Sequence, residues 1–330
     1  MLERNTLIGI LAGLTTGALW GLTFVAPRVV APYSAWDLTV ARYGIFGIAS
    51  VLLMLHPRLR PSGLSLMQVV KGLVLGGAGY VGYFVSAAYA VRLAGAALPP
   101  LVIGTMPVVL AVVANVRDHS VRWRSLAVPL ASIAAGVGIV DVAVVEAAGA
   151  ANRADIGRGV LCAGIALAIW VVYGMVNSSV MRAPKPPDAL HWTGLQGIGA
   201  ALGSLVLLPL TTFGRLDAVS PADSGRFLIW ALIMGLAASW LATWCWVVAS
   251  RKLPLVLSAQ LIVSETVFGL IGGFVFEARW PRLAEWIGAA LQLIGVGAAI
   301  GLLSEQAHPQ CELPTALLRP ARRGAQKTDV

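Results

Sequence analysis

The chain has 330 residues, 58% of them hydrophobic and only 12% charged, with a mean hydropathy of +0.81. Soluble domains carry about a quarter charged residues, so a water-facing surface over most of this chain is excluded, and lipid is the expected solvent. The net charge of +9 sits between apolar runs and forms no basic face, which speaks against nucleic-acid binding and for membrane topology.

In chain order, the uncharged stretches long enough to span hydrocarbon are Leu7–Ala26, Gly72–Val91, Leu93–Val116, Gly159–Met181, Ala189–Gly214, Phe227–Ser250 and Trp286–Ser304. Three more complete a set of ten: Leu38–Leu55, interrupted by Arg42; Leu253–Phe276, interrupted by Glu265; and the short run Ser125–Val140. The first run is longer than the apolar core of a secretory signal, and similar runs follow it, so it reads as an uncleaved helix. Connections carry the breakers and charges, among them Pro27, Pro32, His56 to Ser62, Arg117 to Arg124 and Glu277 to Arg282. From Glu305 onward the composition turns polar and proline-rich, which reads as a disordered basic tail. All four lysines, Lys71, Lys185, Lys252 and Lys327, fall on one side of the alternating spans. The positive-inside rule then places both termini in the cytoplasm.

An internal repeat orders these spans. Ala18-Leu19-Trp20 matches Ala168-Ile169-Trp170, and at a slightly longer separation Arg92 matches Arg251, Asp118 matches Glu277, and Gly136-Val137-Gly138 matches Gly295-Val296-Gly297. The expected fold class is therefore an all-α integral membrane protein of ten transmembrane helices in two inverted five-helix repeats, residues 1–146 and 147–304, followed by a tail over 305–330. Inverted repeats of this kind are the usual frame of secondary transporters.

These residues resemble the drug/metabolite transporter superfamily in its ten-helix EamA-type branch. The likeness is carried by Gly17-Ala18-Leu19-Trp20-Gly21-Leu22-Thr23-Phe24, by Arg42 in the second span, and by two segments in corresponding places: Met106-Pro107 followed by Asp118, and Ser264-Glu265-Thr266 followed by Glu277-Ala278-Arg279. Asp118 stands where the family has Glu, and Thr266 where it has Pro. The resemblance implies a central cavity between spans one to four and six to nine, spans five and ten packed outside it, and movement of amino acids, other metabolites or drugs, commonly outward. Within transport, a lipid-linked intermediate flippase is the alternative; outside it, a membrane enzyme or sensor subunit.

Seven residues are candidates for substrate binding or coupling: Trp20, Arg42, Tyr80, Tyr83, Trp170, Tyr173 and Glu265. Ionisable groups inside spans are costly and usually face a cavity, a partner or a proton path, so Glu265 is the candidate for proton coupling and Arg42 for an ion pair or an anionic substrate group. Trp20 and Trp170 lie deep in equivalent spans; with Tyr80, Tyr83 and Tyr173 they suit either a cavity that stacks on a planar or cationic substrate or ordinary core packing. Trp36, Trp123, Trp192, Trp230, Trp280 and Trp286 sit near span ends and read as an interfacial belt. The scattered histidines and cysteines give no metal or nucleophile signature, so no enzyme, metal or cofactor is expected. The expected partners are a small-molecule substrate, membrane lipid and protons, with the chain a monomer or homodimer.

Overall fold

The computed structural model describes residues 4–57, 60, 63–95, 97–106, 108–109, 112–113, 116, 122–147, 149–181, 183–213, 219–252 and 255–305. Pro107, Asp118 and the tail beyond 305 lie outside the described residues.

The described chain is all-helical. Its helices are α1 (Arg4–Gly21), α2 (Ala26–Val29), α3 (Ala35–Met54), α4 (Leu66–Val74), α5 (Val81–Ala94), α6 (Leu98–Ile103), α7 (Trp123–Ala147), α8 (Gly149–Met181), α9 (Ala189–Leu205), α10 (Pro221–Leu232), α11 (Ala242–Lys252), α12 (Leu255–Phe276) and α13 (Leu283–Glu305). Among the described residues, 6 helices are long and apolar enough to cross a membrane, and Val263–Phe276 and Leu283–Ala299 are shorter apolar helices.

Several starts follow from local chemistry. Ser34 and Asp37 form a capping box on α3, Ser65 and Gln68 one on α4, and the side chains of Asp188 and Ser220 accept from the first-turn amides of α9 and α10. Each supplies an acceptor for amides that a helix leaves open at its start. Asp37 does more: its fully buried carboxylate also accepts from Thr212 N at 2.7 Å and Thr212 Oγ1 at 2.6 Å, tying α3 to the segment after α9.

Three elements differ from expectation. The first span breaks into a 3-10 turn at Leu22–Phe24 before resuming as α2. Pro27 explains this, since it has no N–H to give to the Thr23 carbonyl and its ring crowds that turn. α9 ends at Leu205 and is followed by a 3-10 turn at Leu208–Leu210, because Pro209 cannot extend the ladder. The loop expected between residues 141 and 158 is helical, α7 running to Ala147 and α8 starting at Gly149; the alanines there favour helix over coil.

Two helices change pitch instead of ending. Leu75–Tyr80 joins α4 to α5, and Ile233–Leu241 joins α10 to α11, both as π-helical turns. Such turns are rare and concentrate at functional sites.

Packing pairs α1 with α11 and α12, α8 with α5 and α6, α3 with α9, and α7 with α13. Glycines set the closest approaches. A Cβ on Gly76 would lie 2.0 Å from the Gln196 carbonyl oxygen, and one on Gly199 2.3 Å from that of Leu73, so the first π turn and α9 meet backbone to backbone. Gly136 meets the Gly288 carbonyl and Gly295 that of Pro129 in the same manner, closing α7 on α13. Between apolar helices in lipid, van der Waals contact of this kind is the main attraction. Gly76→Ala is therefore expected to destabilise the protein by about 1–3 kcal/mol through overpacking, whereas Gly138→Ala, whose Cβ would meet nothing within 4 Å, leaves it unchanged or better. Thermal melts in detergent decide the matter, and equal melting temperatures for the two variants would refute this account of the contact.

Candidate functional site

The two π turns and six helices converge on one cavity. Its walls are Trp20 and Thr23 from the first span; Arg42, Tyr43 and Phe46 from α3; Tyr80 and Tyr83 at the first π turn and α5; Trp170 from α8; Ala238, Ser239 and Thr243 at the second π turn and α11; and Glu265 from α12. All the sequence candidates except Tyr173 face it. The cavity has a volume of about 20 Å³, room for about one water molecule. The side chains stand closed on one another.

Arg42 is 5% exposed. Its Nε donates to Ser239 Oγ at 2.9 Å, Nη2 to the Ala238 carbonyl at 3.2 Å and Nη1 to Thr23 Oγ1 at 3.5 Å. The guanidinium carbon lies 4.3 Å from the ring centre of Phe84 and 5.2 Å from that of Tyr43. Aromatic faces and neutral oxygens thus hold the cation. Of the five N–H donors of an arginine, these bonds use three. The second π turn makes this possible: Ser239 and the Ala238 carbonyl present adjacent acceptors to one guanidinium, while Ser239 Oγ donates back to the Met234 carbonyl at 2.8 Å. Gly235 lets α3 approach, since a Cβ there would lie 2.9 Å from the Arg42 carbonyl oxygen.

Glu265 is 7% exposed. It accepts one long hydrogen bond, from Tyr83 Oη at 3.4 Å. Arg42 and Glu265 line the same cavity, yet among the described residues neither forms an ion pair. The site therefore presents a cation and a carboxyl group, each buried and incompletely satisfied, between aromatic walls.

Those walls are one continuous cluster. Trp170 stacks on Tyr173 at 4.5 Å and on Tyr83 at 4.6 Å, and meets Trp20 edge-on at 6.1 Å. Tyr173 sits behind the cavity wall. Its hydroxyl lies 3.0 Å from that of Tyr80 and donates to Gln196 Oε1 at 2.7 Å. Asn177 Oδ1 then accepts from Gln196 Nε2 at 3.2 Å and from Trp192 Nε1 at 2.7 Å. Trp192 is 4% exposed, a correction to the belt reading: its indole N–H needs the Asn177 oxygen, and the ring packs with Leu75, Val180 and Leu195. Trp280 and Trp286, at 88% and 59% exposed, fit that belt. Sequence reasoning missed Thr23, Gln196, Ser239 and Thr243, common polar residues whose part depends on partners far away in the chain.

A second space, a groove of about 550 Å³, is lined by aliphatic side chains of α6, α7, α8 and the residues after α6, with Thr105 its one polar member. Among the described residues it offers no charge and no carboxyl group. Arg42 and Glu265 both line the smaller cavity.

Comparison with known proteins agrees with this architecture. No family model matches the chain. A protein of known crystal structure is similar in fold, with a TM-score of 0.59 at 20% identity, covering 90% of this chain and 98% of the other. The inner membrane protein YtfF of Escherichia coli (strain K12) is 30% identical over 312 residues, which is 88% of this chain and 94% of that protein. With apolar helices fit to cross a membrane and this identity along nearly the whole of both chains, the protein belongs to the family of the inner membrane protein YtfF.

Proposed function

We propose that this protein is a secondary transporter of the drug/metabolite type, working as an exporter of small metabolites from an inner membrane with both termini in the cytoplasm. The observation that carries this reading is the cavity holding Arg42 and Glu265, unpaired, among aromatic rings within a bundle of apolar helices. Unsatisfied ionisable groups at membrane depth are kept where they serve a substrate or ion path. Spare N–H donors on Arg42 suit a carboxylate or another oxyanion, while Glu265 and the rings suit an ammonium or other organic cation. A zwitterion such as an amino acid satisfies both at once.

Reciprocal contacts support ten spans in two inverted repeats. Gly76 abuts the Gln196 carbonyl, and its repeat partner Gly235 approaches the Arg42 carbonyl. Thr23, Arg42 and Ser239 are linked by hydrogen bonds, and so are Tyr173, Gln196 and Tyr80, where Tyr173 and Tyr80 are the repeat counterparts of Thr23 and Ser239. Gly136 against Gly288 is matched by Gly295 against Pro129. Contacts of residue i with j, repeated as those of their counterparts, are the mark of a two-fold relation. Exchange of the two halves' conformations would open the cavity first to one side and then to the other.

Purified protein in liposomes is expected to exchange radiolabelled amino acids by counterflow, with no other component present. Arg42→Met should weaken that exchange roughly tenfold or more, from the loss of a charge-assisted hydrogen bond; a variant that folds and exchanges as well as wild type would remove Arg42 from the binding site.

Glu265 is the group able to take up and release a proton as the cavity opens and closes. Glu265→Gln should abolish uptake driven by a pH gradient while sparing simple exchange. Wild-type flux indifferent to the gradient would show the carboxyl to be structural.

Topology is tested by reporter fusions at Val330 and within residues 147–151. The first should report the cytoplasm and the second the opposite side; a cytoplasmic signal from both would contradict the inverted arrangement.

A further inference from the structure

The broken end of the first span roofs the cavity. Thr23 forms part of the cavity wall, and from there the chain runs through Phe24, Val25, Ala26 and Val30, all buried, to Ala31 and Pro32, which are exposed.

Its attachments are unequal. Arg226 of α10 donates through Nε to the Val29 carbonyl at 2.9 Å and through Nη2 to that of Ala31. Arg28 pairs with Glu277 at the end of α12, and Tyr33 stacks on Phe227 of α10 at 4.2 Å. Against α12 the fit is close: Phe24 lies over Gly269 and Val25 over Gly272, where added Cβ atoms would come within 2.5 Å and 3.0 Å of their side chains. Toward α5 the segment shares a buried core with Val81, Phe84, Ala87 and Val91 and makes one polar bond, Arg92 Nη1 to the Tyr33 carbonyl at 3.1 Å, so it is in polar bonds that the attachments are unequal.

We propose that the cavity opens at this end along the seam between the Leu22–Tyr33 segment and α5, the segment travelling with α10 and α12, and that Arg92 is the latch that holds the seam shut. The bonds to α10 and α12 stay intact in that motion. The seam parts by losing one exposed hydrogen bond, which water replaces, and apolar contacts around Val81–Ala94. Arg92 touches no cavity group and acts as a positioning residue: it sets how often the cavity is open and does not bind what enters. The proposal rests on the transport reading for its purpose, but its test uses no substrate.

The test is the labelling rate of Thr23→Cys by a membrane-impermeant maleimide added from the Arg92 side, in the full chain with Cys162, Cys245 and Cys311 replaced by Ser. Arg92→Gln should raise the rate tenfold or more. Arg92→Lys, which keeps a cationic donor for the Tyr33 carbonyl, should fall between wild type and Arg92→Gln, and it serves on its own if the Gln variant does not fold. Arg226→Gln should change the rate much less, because its bonds do not cross the seam; Arg158→Gln, in an exposed pair with Asp155 elsewhere, should not change it. Equal labelling of Arg92→Gln and wild type, or an equal rise in Arg226→Gln, overturns the proposal. Accelerated labelling in a protein that exchanges no metabolite would leave the seam standing and remove the transport reading instead.

Discussion

Arg42 and Glu265 occupy one cavity without touching, and much of the surrounding structure is arranged around the cost of that separation. Each buried charge costs several kcal/mol unless its neighbours answer it. For Arg42 the answer is built from neutral groups. A π turn supplies Ala238 and Ser239 as acceptors, Gly235 lets that turn reach α3, and the rings of Phe84 and Tyr43 cover the guanidinium. Glu265 has only a long bond from Tyr83. A direct ion pair would have been the cheaper arrangement, and it would also have left nothing for a ligand to complete.

Features governed by lipid or by local chemistry were legible in the sequence. Apolar runs declare themselves because hydrocarbon tolerates few charges, and for the same reason Arg42 and Glu265 stand out as exceptions. The deep tryptophans were visible through the repeat. What stayed hidden depends on contacts between distant segments. Tyr173 looked like a wall residue but stands behind Tyr80, and Trp192 looked like a lipid-facing belt residue until Asn177 and Leu195 enclosed it. Nothing local marks Thr23, Gln196 or Ser239, since Thr, Gln and Ser are ordinary in such helices. The π turns were equally silent: their glycines advertise close packing, and a change of pitch follows only from how α9 and α3 fit against them.

The hydrogen-bond networks around Arg42 and around Gln196 differ in charge. Around Arg42 the links are from a cation to neutral oxygens; around Gln196 they run through hydroxyl and amide groups from Tyr80 to Trp192. On the inverted-repeat reading, the halves would exchange shapes with unequal energies, because Arg42 of the first half is held by several neutral acceptors whereas Glu265 of the second half has one long bond among the described residues. A ligand bearing an anionic group acts on the first half alone. Its differential affinity for the two arrangements, not its affinity as such, is what would shift their populations.

Which contacts can yield in such a change follows from how each is made. Where Gly76 meets Gln196, and Gly136 meets Gly288, backbones lie so close that sliding would drive atoms together, and separation would forfeit the packing that holds helices in lipid. The first π turn with α9, and α7 with α13, are therefore expected to move as units. The aromatic cluster of Tyr80, Tyr83, Trp170 and Tyr173 is bound by both stacking and hydrogen bonds and stays with α5 and α8. Trp20 meets it only through an edge-on contact with Trp170 across the cavity. That contact and the exposed bond of Arg92 are the weakest links between the first span and its opposite wall. On the transport reading, growth of the cavity of about 20 Å³ by a parting of the first span, α11 and α12 from α5 and α8 would give up these two links together with the long Tyr83–Glu265 bond and the apolar packing of the Leu22–Tyr33 segment on α5, while the glycine contacts of α1 with α12 and of α7 with α13 are kept.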